Sequence, residues 1–373
     1  MTTDPTELHL LFILLDSNLP TGGFVSSSGL ESWAKHGFLS NPTYSSSSTT
    51  QASSVTQSSS SSKSSYNSRP NQVQVIKAIT DFARAEVESY SRTTGYFVRD
   101  AWKALDQIST MEMDICSKCG KSRKSSIINR KMAEEDVEKV SVEDVKIKVS
   151  VEDVVKVLVE LDQYHESTLL SHVSRRSSKA QGIAMLTLHA RGLSKPVRVD
   201  MDEDKDEDGN ENKNEIQRER EKDGRAREVV EGFKRCIRAG KSPGHLAVCW
   251  GVMCAALGLS LERTLHLHLF LHARSLLSSA VRLNLIGPYA SSQLLLHPFE
   301  SIISNNIPSS TDTTGILECR CVQLESVDKY ASLDRDWDWD WAIDAEMGPA
   351  TTWPLGEVLM ARHDLQHSRI FNS

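Results

Sequence analysis

The chain has 373 residues, 39% of them apolar and 25% charged, which is the composition of a soluble globular protein with a sizeable core. A formal net charge of -7 argues against nucleic-acid binding, because holding phosphates needs a basic face. Seven cysteines, an odd number with scattered spacing, make no disulfide framework, so a reducing, cytoplasmic setting is expected.

The opening run MTTDPTELHLLFILL carries Asp4 and Glu7 where a secretory leader would be positive, and it reads as a first helix. Leu8, Leu11, Phe12 and Leu15 recur at i, i+3, i+4 and i+7, which predicts one buried face. A glycine-containing turn follows, with Ser28 a candidate cap for a helix through Trp33. Residues 41–72 are dominated by serine and threonine and offer little to bury, so a disordered insert is expected there. Ile76, Ile79, Phe82, Ala83 and Val87 then predict an amphipathic helix.

A second insert, 109–150, is charged and holds Cys116-x-x-Cys119, the triplet Gly120 to Ser122 and the first copy of a short SVEDV repeat. The cysteine pair has no second pair at zinc spacing and no βαβ context, so chance occurrence is the preferred reading. A helix is predicted from Val154, Val157, Leu158, Leu161, His165 and Leu169. The third insert, 194–225, is an acidic loop running into a polar helix. Within it Asp204, Asp206, Asp208, Gly209 and Glu215 fit a calcium-loop spacing, but Pro196 precedes them and no second hand exists, so a solvated loop is preferred.

Leu246 to Leu257 and Leu261 to Leu285 are apolar on more than one side and predict central helices, with Gly258 and Ser260 as stop and cap between them. The apolar stretch is shorter than the roughly 18 residues of a membrane span, so none is expected. The triplets Gly120 to Ser122 and Gly240 to Ser242 lack the earlier glycine of a phosphate loop and follow no buried strand. His266, His268 and His272 are weak metal candidates by helical spacing, with a packed helix surface the preferred reading. The alternating DWDWDW, Asp336 to Trp341, reads as a solvated edge strand or a docking segment, with its tryptophans favouring docking. No nucleophile with base and orienter is evident, so catalysis is not expected. The fold class predicted is all-α: a single helical bundle over 1–335, carrying the three inserts, and a C-terminal tail over 336–373.

Four blocks in order, LLDSNLPTGGFVSSSGLE, GHLAVCWGVMCAALGLSLE, SSAVRLNLIGPYASSQLLL and ARHDLQHSRIFNS, resemble the UreF family of urease accessory proteins. Pro288 and Asp364 depart from the residues most common in that family, and the inserts and the histidines at 266, 268 and 272 are not features of it. The resemblance implies an all-α, dimerising, non-catalytic protein that bridges the nickel-carrying GTPase UreG and the UreD (UreH) partner on apo-urease. Nickel is then cargo of the complex, and no cofactor is held tightly. By position, Pro20, Gly22, Gly23, Phe24, Gly29, Glu31, Arg282 and Gln293 would serve partner binding, the turn and Arg282 toward the GTPase. Arg362, His363, Gln366, Arg369 and Phe371 lie in a tail that would order on UreD, with Ile370 and Phe371 as apolar anchors. Two other roles stay open: Arg282 acting on GTP turnover by UreG, and direct nickel binding through the histidines or the cysteine pair.

Overall fold

A computed structural model describes residues 5–16, 26–37, 71–110, 150–194, 210–309, 312–317 and 348–371. Among them every regular element is helical, as an all-α fold requires. In chain order these are α1 (Pro5–Leu14), α2 (Leu30–Lys35), α3 (Gln72–Tyr90), α4 (Tyr96–Thr110), α5 (Val151–Thr168), α6 (His172–Leu188) and α7 (Asn210–Arg238). They continue with α8 (Leu246–Ala256), α9 (Leu261–Arg282), α10 (Pro288–Leu296), α11 (Pro298–Asn305) and α12 (Pro354–Ala361). A π-turn, Ser91–Gly95, joins α3 to α4 and another, His189–Leu193, closes α6. A 3-10 turn, Arg362–Leu365, follows α12. No described helix is long and apolar enough to cross a membrane.

Local chemistry fixes the helix ends. Asn71 accepts the Val73 N–H while the Gln74 side chain accepts the Asn71 N–H, so the reciprocal cap starts α3 inside the range 41–72. Ser150 accepts the Asp153 N–H and starts α5. The polar helix expected at the end of 194–225 is α7, which begins at Asn210. Most of the three inserts, with Cys116, Cys119, the first triplet and Asp204 to Gly209, lies outside the described residues, as does DWDWDW.

The core has two lobes. The first joins α4, α5, α6, α7 and α8 through Phe97, Leu158, Leu161, Met185, Phe233 and Met253. The second joins α2, α3, α9, α10, α11 and α12 through Leu30, Phe82, Leu276, Phe299, Ile303 and Leu359. Helix α9 passes through both, placing Leu265 and Leu267 in one and Leu276 and Leu277 in the other, so the central position predicted for α8 and α9 holds. Gly258, at φ +84°, ends α8 in the left-handed conformation glycine accepts without steric penalty.

The face predicted for α1 is corrected. Leu11 and Leu15 pack half-buried against the first lobe as expected, but Leu8 and Phe12 are exposed, Phe12 by 64%, and Leu14 is the residue buried. A helix apolar nearly all round gives periodicity no phase, so contact with the bundle chooses the face.

Candidate functional site

The site grows from the turn before α2. Ser28 and Gly29 both have positive φ, 49° and 80°, and Gly29 is the N-cap. The expected cap at Ser28 is therefore corrected: no side chain caps α2, because Ser28 itself turns left-handed. A Cβ on Gly29 would sit 3.0 Å from the Met360 Cγ, so glycine serves both the turn and the approach of α12.

This geometry turns Glu31 inward, where its carboxylate is fully buried. Buried carboxylates need donors, and the C-terminal segment supplies them. Oε1 accepts the Lys35 ammonium at 2.8 Å and the Ile370 N–H at 2.8 Å. Oε2 accepts the Phe371 N–H at 3.2 Å and faces the buried His363 Nε2 at 3.2 Å. Burial pushes the Glu31 carboxyl up, but bonds from Lys35, Ile370, Phe371 and His363 outweigh that and hold it below its ordinary value. The Arg282 guanidinium stands 5.8 Å from the centre of the Phe371 ring, a cation–π placement.

A second clasp lies on the tail's other side. Asp364 receives Arg176 in a bidentate pair at 2.9 and 3.0 Å, Arg369 at 2.8 Å and His172 at 3.2 Å. The Arg176 bond leads in holding the Asp364 carboxyl far below the usual range. Glu357 on α12 accepts the Ser171 N–H at the start of α6, and burial pushes its carboxyl up.

Several expected site residues thus meet: Gly29, Glu31, Arg282, His363, Arg369 and Phe371 belong to one assembly around the docked tail. Arg362 and Gln366 line an adjoining cavity of about 310 Å³. Gln293 is exposed on α10, and Pro20, Gly22, Gly23 and Phe24 lie outside the described residues. Of the two expected apolar anchors, Phe371 is 2% exposed, packed against its own chain with its N–H serving Glu31, while Ile370 stays exposed. Buried His363 likewise faces inward.

A larger cavity, about 620 Å³, lies between α3, α6, α9 and α12, with Glu86, His268, His272, Arg282 and Glu357 on its wall. The three candidate metal histidines do not converge. His266 is exposed, whereas His268 is buried with Nε2 3.0 Å from the Thr94 hydroxyl. His272 stacks on Tyr90 at 3.6 Å and lies 3.4 Å from Glu86. Burial, aided by the neighbouring His272, pushes His268 down to about 3, and no metal-sized group of three forms among the described residues.

One buried polar centre is not foreseen. Asp162 accepts the N–H groups of Gly244 and His245 at 2.6 and 2.9 Å and the Ser242 hydroxyl, so it caps the start of α8. The triplet Gly240 to Ser242 therefore serves a helix start. Four places after Leu158, Asp162 falls on the apolar face of α5, and only the arrival of α8, with the N–H groups it presents, explains how a carboxylate is accommodated there.

The fold and site define an all-α protein whose C-terminal segment is latched onto its second core lobe. The UreF family model matches residues 76–298. The chain is 50% identical over 368 residues to Urease accessory protein 6 of Cryptococcus neoformans var. grubii, covering 98% of this chain and 97% of that protein. It is 24% identical over 375 residues to an uncharacterized urease accessory protein UreF-like of Schizosaccharomyces pombe, covering all of both. Urease accessory protein F of Oryza sativa subsp. indica is 31% identical over 137 residues, 36% of this chain and 41% of its own length. The chain belongs to the UreF family of urease accessory proteins.

Proposed function

We propose that the protein is a scaffold in nickel insertion into apo-urease, working as a homodimer that bridges the GTPase UreG and the UreD (UreH) partner. Nickel is cargo of the complex, and this chain contributes surfaces. The observation carrying the reading is the assembly of α2, exposed Arg282 and the docked tail into one body, because several of the residues that the family resemblance marks for partner contact, Glu31, Arg282, His363 and Phe371 among them, become neighbours there. Its rims, Arg362, Arg369 and Ile370, stay exposed for contact.

Capture of purified UreD-type partner by the full chain, compared with a chain lacking residues 361–373, tests this directly. The truncated chain is expected to lose capture, and undiminished capture rejects the tail as partner-facing. Exposed Arg282 supports a second reading, that the chain changes GTP turnover by UreG. Unchanged turnover on adding the protein removes that reading alone.

A further inference from the structure

The tail's outer surface is chemically unlike the chain as a whole. Leu355, Val358 and Arg362 fall at i, i+3 and i+7, on one side of α12 and its continuation. Leu355 and Val358 are exposed by 46% and 54%, and Leu365 by 75%. Beside them the cavity of about 310 Å³ opens between α2 and the tail, lined by Lys35, His36, Arg362, Gln366 and His367. The nearby acids are already engaged: Glu31 is buried under four donors and Asp364 is clasped by Arg176, Arg369 and His172. Arg362 donates through Nε to His36 Nε2 at 3.0 Å and has no carboxylate partner among the described residues. Both polar atoms of the Gln366 amide are buried without a hydrogen-bond partner. A chain of net charge -7 therefore carries here a basic cavity with an unspent amide, edged by a row of apolar side chains.

We propose that this face docks an acidic, apolar segment of a partner protein, one of its carboxylates entering the cavity toward Arg362 and Gln366 while its apolar side chains cover Leu355, Val358 and Leu365. A guanidinium with its terminal nitrogens uncommitted suits a planar carboxylate, which it can hold bidentately. The apolar row favours a peptide over a nucleic acid or a free anion, for which exposed leucine and valine provide nothing. This rests on the tail facing a partner and adds what that partner must present.

The test uses the full chain and a fluorescein-labelled peptide of alternating leucine and glutamate, read by anisotropy. Controls are the same peptide with glutamine for glutamate, and inorganic phosphate as competitor. The acidic peptide is expected to bind, more weakly as salt rises, with a loss of about tenfold in Arg362→Gln, in Val358→Ser and with the glutamine peptide. Slow exchange of the Ile370 and Phe371 amides in each variant certifies that the tail is still docked. Affinity unchanged in both variants, or phosphate displacing the peptide as well as the peptide displaces itself, overturns the proposal. If deleting 361–373 abolishes capture of the UreD-type partner while docked Arg362→Gln and Val358→Ser capture it at full affinity, this surface is rejected and the tail keeps its role.

Discussion

At the scale of single residues, Glu31 is the group on which the tail depends. Its two oxygens take two backbone N–H groups from Ile370 and Phe371, and a side-chain amide cannot replace that pattern. Glu31→Gln keeps one acceptor oxygen and turns an NH2 toward a donor that then loses its partner. The substitution is expected to cost about 3 kcal/mol, as for a broken buried charge cluster. Thermal melting reads that loss, and hydrogen exchange at Ile370 and Phe371 should rise well above that of the core helices. The sign with pH follows from the lowered carboxyl: the contribution is present above the unfolded value of about 4.3 and is lost as pH falls through the folded one. Protection of these two amides surviving in Glu31→Gln would show that α12 and the Asp364 clasp hold the tail without Glu31. None of this latch is legible from local sequence, since His363 and Glu31 are 332 positions apart, and only the family resemblance singles out both.

At the scale of elements, the helices pack so closely that two glycines become spacers. A Cβ on Gly182 of α6 would lie 2.2 Å from the Gly244 carbonyl oxygen, and one on Gly251 of α8 would lie 2.4 Å from that of Val98. Backbone cannot yield as a side-chain tip does, so Gly182→Ala must push α6 from the start of α8, and a loss of at least about 2 kcal/mol in chemical unfolding is expected. Gly224, at an exposed position of α7, has nothing within 4 Å of its absent Cβ. There alanine restricts the unfolded chain and suits a helix, so Gly224→Ala should stabilise by about 0.5 to 1 kcal/mol. Equal signs for the two substitutions would contradict this packing. The sequence makes α3 and α5 legible, because their apolar residues alternate with polar ones at helical spacing and fix a phase. It leaves α1 without a phase, and it hides Asp162, whose burial depends on an α8 terminus arriving from 82 positions away.

Across the whole molecule, the bundle buries ionisable groups that most proteins leave in water. His165, His189, His245 and His268 are all held down in pKa, in each case by burial first. Glu86, Asp162 and Glu357 are pushed up by burial and act with opposite sign, so the pH curve of the intact protein mixes the two sets. A single histidine separates them. His165 lies 4.6 Å from the Phe97 ring and 5.0 Å from the His245 ring, and neither of its nitrogens has a hydrogen-bond partner. It stays neutral in the fold while the unfolded chain gains its proton below about pH 6.5, so folding stability falls with acidification by up to about 1.4 kcal/mol per unit for this one group. In His165→Phe that pH dependence vanishes, and the ring keeps an aromatic neighbour in Phe97. The unfolding free energy of the variant minus that of the wild type should therefore grow steadily as pH is lowered from about 7 to about 5. A difference that stays flat over that range would mean His165 takes up its proton inside the fold, and that the first lobe is wetter than its packing indicates.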